Sequence, residues 1–489
     1  MIETPKVDWL ALSPTLALLG LAAVTLLGAV LVPRALQRAF AVVVSFGGFL
    51  TSAALSVVVF DRSAEATPLI AESMTRDRLG ALAAVVIALV GAAVVLTSWG
   101  DRRRDHVGEY YALLAAAGAG MVFFVSASSL MTLFLALEWF SISLYVLCAL
   151  DTHRRASLES GLKYLIVGSF GSGILLFGCA LVYGATGELG FTAIQQATGA
   201  DDPLFVTGLA LILAGLAFKV SAAPFHMWTP DVYQGAPTTV TAFMAAATKV
   251  AALVVTLRLL VTSFPEQSEI WSTAIAVLAV ASLAIGNLAA IAQRDLKRML
   301  AYSSVSHAGF LLIAVVANSQ DGGAALLYYL IPYAAATVGL FAVVASRERE
   351  LERPVSLAAL EGLGWERPFL GVAMWAFVLS MAGFPLTGGF FGKLFVFSAA
   401  YDTGYWWLVV IGVLATALSL AYYLTIIRAL YMRPSQVTGT VLAAGGSPPR
   451  DLFLNGAVGA ALFVTLGSFV LVQPLVDLAR DAAASLPFV

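Results

Sequence analysis

The sequence predicts an all-α polytopic membrane protein of about fourteen transmembrane helices, and three observations support this fold class. First, 60% of the 489 residues are hydrophobic and only 11% are charged, with a mean hydropathy of +0.91, whereas soluble domains are about 25% charged. Second, no segment between the apolar runs is long enough to build a soluble core of its own. Third, loops rich in basic residues alternate along the chain with loops that contain few of them. A single membrane domain, residues 1–489, therefore accounts for the chain.

Each predicted span is an apolar run of the length that a bilayer requires, about 20 residues. The runs begin near residues 9, 39, 80, 110, 131, 160, 204, 237, 269, 296, 322, 367, 405 and 454. The first run follows a start without a basic n-region, so we interpret it as a retained span and not as a cleaved signal. The seventh, tenth and twelfth runs are interrupted or short, which makes their ends the least certain in position.

The charges of the loops predict the orientation, because Lys and Arg concentrate in cytoplasmic loops. Loops after odd-numbered spans contain sixteen basic residues, and loops after even-numbered spans contain three. The sixteen are Arg34, Arg38, Arg102, Arg103, Arg104, Arg154, Arg155, Arg294, Lys297, Arg298, Arg347, Arg349, Arg353, Arg367, Arg433 and Arg450, and the three are Arg62, Arg76 and Arg78. A miscounted span would exchange the two classes. The pattern therefore predicts fourteen spans in a bacterial plasma (inner) membrane, with both termini on the non-cytoplasmic side.

Composition also argues against several kinds of function. Cys148 and Cys179 lie in apolar runs without CxxC or Cys/His spacing, which argues against a disulfide framework, a zinc site or an iron–sulfur cluster. Any redox chemistry would then belong to a partner. The net charge of −2 argues against nucleic acid as a ligand.

Seven ionisable residues fall inside the predicted spans or at their margins. An ionisable group at the centre of a bilayer costs at least about 2.5–3.5 kcal/mol, so such residues predict function. Glu138 is the sole acid well inside a span. The basic residues are Lys163, Lys219, Lys249, Arg258, Lys393 and Arg428.

These charges do not all favour the same interpretation. Arg258 and Arg428 lie near helix ends that we assign to the basic side, where long side chains snorkel into the headgroups, so we predict that both are anchors. Lys163 lies only a few residues inside span six, where anchoring and function are equally compatible with its position.

The deeper charges favour function. Lys219, Lys249 and Lys393 lie far from the basic loops or beside a proline break. Burial disfavours the charged form, so these lysines and Glu138 are predicted to exchange protons near neutral pH as a relay. Glu138 is also compatible with a purely structural role, as the counter-ion of one of the lysines.

Two spans contain helix breakers beside a lysine. Lys219 precedes Pro224, with further prolines at 230 and 237, and Pro385 and several glycines precede Lys393. Irregular backbone at membrane depth persists only inside protein or beside water, so spans seven and twelve are predicted to be discontinuous. Prolines that merely kink packed helices are the alternative.

The breaks lie five spans apart, which suggests two inverted five-helix repeats, as in transporters whose sites lie at broken helices. The predicted units are three N-terminal spans (1–108), a first repeat of spans 4–8 (109–262), a second repeat of spans 9–13 (263–433), and a loop with the last span (434–489).

Two histidines lie outside the basic loops. His307, among the hydroxyls of Tyr302 to Ser306, is predicted to extend the relay, because imidazole titrates near neutrality. His226 is as compatible with a place at the membrane surface, where it would fix the loop. Lys297 and Arg298 are interpreted as markers of the basic side.

These residues resemble a known family, the antiporter-like membrane subunits of respiratory complex I (NADH–quinone oxidoreductase) and the related multisubunit cation/proton antiporters. The resemblance covers spans four to thirteen and is carried by Leu137-Glu-Trp, residues 219–237, Lys249, residues 295–307 and residues 383–393. The N-type subunits are the most similar, because the broken span twelve ends in Phe-Phe-Gly-Lys393 and no long lateral helix follows span fourteen.

The resemblance implies roles for individual residues. It implies that Glu138 and Lys219 form the pair of a first half-channel, that Lys249 is the central connecting lysine, and that Lys393 opens a second half-channel. Lys163 matches a lysine of the N-type sixth span.

The resemblance also implies an activity and partners. The chain would be a proton-translocating subunit without a redox site of its own, driven by quinone reduction in other subunits. NADH, FMN, iron–sulfur clusters and quinone are expected in those partners, which would include further antiporter-like subunits within the bilayer.

Two other functions remain open at this point. A subunit of a multisubunit sodium/proton antiporter would use the same lysines, although sodium prefers carboxylate ligands and one intramembrane acid supplies few. A structural scaffold would use the charges as links between helices, but four lysines and one glutamate cannot neutralise one another in pairs.

Overall fold

A computed structural model of the chain describes residues 7–101, 106–197, 202–433 and 451–488. The basic residues Arg102 to Arg104 and Arg450 of the predicted loops lie outside these ranges. The helices of the first half are α1 (Trp9–Leu31), α2 (Arg34–Asp61), α3 (Arg78–Thr97), α4 (Val107–Val125), α5 (Leu130–Cys148), α6 (Arg155–Thr186), α7 (Phe191–Gln196), α8 (Pro203–Val220), α9 (Trp228–Gly235) and α10 (Thr238–Ser263).

The second half continues the helical pattern. Its helices are α11 (Ser268–Ile291), α12 (Leu296–Val316), α13 (Gln320–Leu351), α14 (Leu363–Glu366), α15 (Pro368–Ala382), α16 (Gly388–Asp402), α17 (Trp406–Met432), α18 (Leu452–Val470) and α19 (Val472–Ala483), with a 3-10 turn at Leu357–Leu360. A short antiparallel hairpin, β1 (Thr67–Leu69) and β2 (Met74–Arg76), connects α2 to α3, and Thr67 pairs with Arg76.

The predicted fold class is confirmed. Thirteen helices in the described ranges are long and apolar enough to cross a membrane. The one remaining predicted span, the twelfth along the chain, corresponds to the broken pair α15 and α16, of 15 residues each. Each of the fourteen predicted spans therefore corresponds to one helix or to one broken pair.

Both predicted interruptions are present, and each follows from its local sequence. The chain leaves α8 at Ser221, which has φ 64°, and Pro224 follows before α9 begins. The chain leaves α15 at Gly383, with φ 79°, and Pro385 follows before α16 begins. A residue in the left-handed region ends a helix, and proline prevents its continuation.

Seven of the nineteen described helices begin after a polar residue whose side chain supplies a hydrogen-bond acceptor to the first turn. Ser129 accepts from the backbone N–H of Thr132 at the start of α5, and Asp295 accepts from that of Arg298 at the start of α12. Such caps satisfy backbone donors that have no partner within the helix. The caps therefore fix the starts of the two helices that carry Glu138 and His307.

Three helices form the centre of the molecule. The most apolar 18-residue windows of α10, α12 and α13 are 100%, 94% and 89% buried, compared with 33% for α1, α17 and α18. Glycines permit close packing around this centre: a Cβ at Gly286 of α11 would lie 2.6 Å from the backbone nitrogen of Ser306 in α12. Side chains of α10 and α12 are consequently isolated from lipid.

Candidate functional site

Lys219 lies in the last turn of α8, immediately before the first break. The lysine is 3% exposed, and its Nζ donates a hydrogen bond to Ser141 Oγ of α5 at 2.6 Å. The rings of Phe140, Tyr164 and Tyr145 lie 5.4, 5.7 and 5.8 Å from Nζ. A hydroxyl and aromatic faces therefore surround this ammonium group.

Glu138 precedes Ser141 by almost one helical turn on α5. Within the described ranges its carboxylate forms no ion pair with Lys219, although the two groups are within Coulombic range of each other. Its Oε1 is buried and accepts no hydrogen bond from any described residue. The structure thus places the predicted acid within Coulombic range of the lysine, with its Oε1 available to accept a hydrogen bond.

Lys249 occupies the middle of the buried helix α10. The residue is fully buried, and its Nζ donates to the backbone carbonyl of Ser304 in α12. The ring of Tyr333 from α13 lies 5.8 Å from Nζ. Lys249 therefore sits where the three central helices meet.

His307 connects several hydroxyl groups on the next turn of α12. Its Nδ1 lies 2.9 Å from the Tyr329 hydroxyl and its Nε2 lies 3.1 Å from the Tyr423 hydroxyl. Tyr423 is 2.5 Å from Ser303 Oγ, and the Ser304 and Tyr333 hydroxyls are 3.1 Å apart. Hydroxyl and imidazole groups both donate and accept, so this cluster can pass protons.

A small cavity lies beside this cluster. Its volume is about 10 Å³, which is roughly the space that one water molecule requires. The lining residues are Leu300, Ser303, Ser304, His307, Tyr333, Thr337, Leu340, Phe341 and Met381. Most of the wall is apolar, and the polar lining residues that can hydrogen-bond a water there are Ser303, Ser304, His307, Tyr333 and Thr337.

Lys393 lies in the second turn of α16, just after the second break. It is 4% exposed, and its Nζ donates to the carbonyl of Ala382 at 3.2 Å and to Thr416 Oγ1 at 3.5 Å. The ring centroid of Phe310 lies 4.3 Å from Nζ. Gly383 makes room for this arrangement, since a Cβ there would lie 2.8 Å from Cδ of the lysine. Lys393 has no acid partner among the described residues.

Lys163 lies nearer the surface than the other lysines. Its side chain is 43% exposed and pairs with Glu159 at 2.7 Å and with Asp231 at 2.8 Å. Asp231 also accepts from Arg298 at 2.5 Å, so it joins α6, α9 and α12. His226 is half-buried in the break between α8 and α9, where its ring centroid lies 6.3 Å from that of Tyr302.

The prediction that Arg258 is a snorkelling anchor is wrong. Arg258 is 3% exposed and forms a bidentate ion pair with Asp77, the N-cap of α3, with Nη2 2.8 Å from Oδ1. Since α10 begins on the basic side, Arg258 near its other end lies away from that side. The helix is also enclosed by protein, so no headgroup region is within reach of the side chain. Arg428, in contrast, is exposed on α17.

Sequence reasoning missed Lys297 and Glu348. Lys297 is 1% exposed, and its Nζ donates to the carbonyl of Ala236 at 2.7 Å and to Thr238 Oγ1 at 3.0 Å. Glu348 Oε1 lies 3.9 Å from that Nζ. The seven-residue spacing from Lys297 to Ser304 was a usable signal, because it places both on one face of α12.

Comparisons with known proteins agree with these observations. The family described as NADH:quinone oxidoreductase/Mrp antiporter matches residues 127–419. NADH-quinone oxidoreductase subunit N 2 of Roseiflexus castenholzii is 40% identical over 98% of this chain and 97% of its own length.

Solved structures extend the likeness to the fold. A chain of respiratory complex I from Thermus thermophilus is 32% identical with a TM-score of 0.79, covering 95% of this chain and 99% of that one. A chain of the Mrp complex from Dietzia sp. DQ12-45-1b shares the fold at 24% identity and a TM-score of 0.84, covering 96% of this chain and 97% of its own.

Proposed function

Since the chain belongs to the NADH:quinone oxidoreductase/Mrp antiporter family of membrane subunits, we propose that it translocates protons as an antiporter-like subunit of a respiratory NADH–quinone oxidoreductase. The protein is a multi-pass membrane protein. In this proposal its termini face away from the cytoplasm of a bacterial cell, and quinone reduction in partner subunits drives the transfer. NADH, FMN, the iron–sulfur clusters and quinone would be bound by those partners.

The observation that carries the proposal is a row of polar residues at the centre, linked by hydrogen bonds and ring contacts. We call Lys249, Ser304, Tyr333, His307 and Lys393 the central row. Lys249 donates to the carbonyl of Ser304, whose hydroxyl meets that of Tyr333, and the Tyr333 ring lies 5.3 Å from that of His307. His307 in turn contacts Phe310, whose face covers Lys393. Proton-binding groups therefore extend from the first repeat into the second without contact with lipid.

The roles of the lysines follow from their chemistry. A buried amine can hold a proton as ammonium or release it as a neutral group, and burial brings the two forms closer in free energy. In the proposal Lys219, with Glu138 beside it, loads in the first repeat, Lys249 connects, and Lys393 unloads in the second. Between Lys219 and Lys249 the rings of Tyr164, Trp228 and Tyr233 contact one another, so in the proposal water completes that part of the path.

The proposal can be tested in inverted membrane vesicles that contain the assembled complex. Lys249→Met removes the central proton-binding group and is expected to lower the number of protons pumped per NADH oxidised by roughly twofold or more. Arg428→Met, on an exposed residue of α17, is the matched control and is expected to pump normally. Normal pumping by the Lys249→Met complex would contradict the proposal.

The alternative function is sodium/proton antiport in a multisubunit antiporter, and the fold shared with the Mrp chain favours it. Sodium binds oxygen ligands, and around Lys393 the described residues offer one carbonyl and one hydroxyl at 3.2 and 3.5 Å. Replacing sodium by choline in the vesicle assay separates the two functions. Proton transfer that stops without sodium would favour the antiporter.

The partners can be identified directly. We expect the chain to copurify with further membrane subunits of an NADH–quinone oxidoreductase, including other antiporter-like subunits. Mass spectrometry of the complex purified through this chain would reveal them. Copurification with Mrp-type subunits only would overturn this part of the proposal.

A further inference from the structure

Three side chains at the ends of the central helices on the basic side form a buried polar cluster. This cluster is not part of the central row. Thr238 begins α10, Lys297 lies in the first turn of α12, and Glu348 lies in the last turn of α13. Lys297 donates to Thr238, and Thr238 donates to Glu348 Oε2. We call Thr238, Lys297 and Glu348 the basic-side cluster.

Each member of the cluster shares a helix face with a residue of the central row or of the cavity beside it. Thr238 and Lys249 are eleven residues apart on α10, and an α-helix repeats its face after about eleven residues, or three turns. Thr337 and Glu348 have the same spacing on α13, and Lys297 and Ser304 are about two turns apart on α12. Three helices thus lead from the basic-side cluster to the centre along one common interface.

The cavity described above lies along this interface. Ser304, His307 and Thr337 line it at the centre, whereas Leu300 and Leu340 line it on the side towards the cluster. Leu300 is one turn from Lys297, and Leu340 is about two turns from Glu348. Only a short apolar section separates the cavity from the basic-side cluster.

The two charged members differ in their access to solvent. The Glu348 side chain is 16% exposed and that of Lys297 is 2% exposed. Glu348 Oε1 is buried and has no hydrogen-bond donor within the described ranges. The other charged groups near Lys297 are Arg154 and Asp295. The acid is therefore the outer member and the lysine the inner one.

We propose that the basic-side cluster is the proton entrance to Lys249, with Glu348 and Lys297 as its proton-binding residues. This inference rests on the proposed function. A proton taken from water binds the Glu348 carboxylate and passes to the neutral amine of Lys297. Transient water past Leu300 and Leu340 then carries it into the cavity beside Ser304, whose carbonyl contacts Lys249, and the neutral amine of Lys249 accepts it. Each step moves only a proton, so no oxidant or reductant is needed.

The competing explanation is that Lys297 only ties the break before α10 to α12 through the carbonyl of Ala236. Lys297→Arg separates the two, because arginine keeps the charge and the hydrogen bonds but cannot release its proton. Arg298→Lys, at the neighbouring residue, is its control. Glu348→Gln removes the charge with little change of shape, and Glu350→Gln, two residues along α13, is its control.

The assay is proton pumping per NADH oxidised by the assembled complex in inverted vesicles. Lys297→Arg and Glu348→Gln are each expected to lower this ratio by roughly twofold or more, with normal pumping by both control variants. If Lys297→Arg fails to assemble, the pair Glu348→Gln and Glu350→Gln decides.

Three outcomes would overturn the inference. Normal pumping by Glu348→Gln or by an assembled Lys297→Arg complex, together with loss in Lys249→Met, removes the entrance and leaves the proposed function intact. Equal loss in Glu350→Gln assigns the effect to general disruption of this end of α13. Normal pumping by Lys249→Met as well would remove both proposals.

Discussion

The lysines beside the two broken helices are equally buried but are stabilised by different groups. Lys219 donates to a serine hydroxyl and lies within Coulombic range of Glu138. Lys393 contacts a carbonyl, a threonine hydroxyl at 3.5 Å and the face of Phe310. The first site offers a charged lysine a countercharge, whereas the second offers neutral dipoles and a ring. One fold therefore contains two buried lysine sites with different surroundings.

The two sites share one electrostatic feature in spite of these differences. Lys219 belongs to the last turn of α8, and Lys393 reaches back from α16 to the carbonyl of Ala382, the last residue of α15. Both ammonium groups thus lie at the C-terminal end of the first half-helix, where the helix dipole favours positive charge. The lysine stands before the break in one repeat and after it in the other.

The largest expected effect comes from giving the second site the acid that it lacks. Thr416→Asp places a carboxylate near Lys393, and an opposite charge at about 4 Å is worth about 4 kcal/mol at an effective dielectric constant of about 20. This attraction corresponds to a roughly thousandfold higher proton affinity of the lysine, so it should trap the proton there and lower pumping per NADH by roughly tenfold or more. Thr416→Ser keeps the hydroxyl and serves as the control. Unchanged pumping by Thr416→Asp would show that the second site does not depend on the absence of an acid.

The next effect concerns the ring in the second site. A desolvated cation–π contact is worth about 2 kcal/mol, so Phe310→Leu should destabilise protonated Lys393 and lower pumping several-fold. Phe310→Tyr keeps the ring and should pump nearly normally. Stepwise fluorination of this phenylalanine tests the same interaction without a change of packing. Pumping that does not change along the fluorinated series would exclude a role for the ring.

A smaller effect distinguishes the two breaks through their left-handed residues. Gly383→Ala forces a side chain into the left-handed region, at about 1–2 kcal/mol, and moves the stem of Lys393. Ser221→Gly, at the corresponding position after α8, should be neutral or slightly stabilising, because serine already carries this strain. Thermal unfolding of the purified complex measures both. Equal losses in the two variants would show that the breaks are not distinguished by these residues.

The smallest effect is expected at the half-exposed ion pairs of the basic side. Asp231→Asn, in the first repeat, removes the partner of Lys163 in that repeat and of Arg298 in α12, and exposed pairs contribute about 0.2–1 kcal/mol each. Glu361→Gln, which removes the buried partner of the half-exposed Arg433 in the second repeat, is the corresponding change. Each should lower the unfolding temperature slightly without loss of pumping. A strong pumping defect in Asp231→Asn alone would give Lys163 a role beyond anchoring.

Several features of the molecule were readable from the sequence, because they depend on local length, polarity and backbone chemistry. Apolar runs of bilayer length located the fourteen spans, and alternating basic loops supported their number and predicted their orientation. Pro224 and Pro385 determined the two breaks, since proline cannot continue a helix. The expense of burying charge identified Lys219, Lys249 and Lys393 as residues that need protein around them.

Only the tertiary structure decided which groups meet. Arg258 pairs with Asp77, which is 181 positions away in the chain. Lys219 contacts Ser141 and does not form an ion pair with Glu138. Lys297 is buried, although the sequence assigned it to a basic loop. A hydrogen bond requires two atoms to approach within about 3 Å. That distance depends on the rotation and tilt of helices far apart in the chain, and these follow from the packing of the whole bundle.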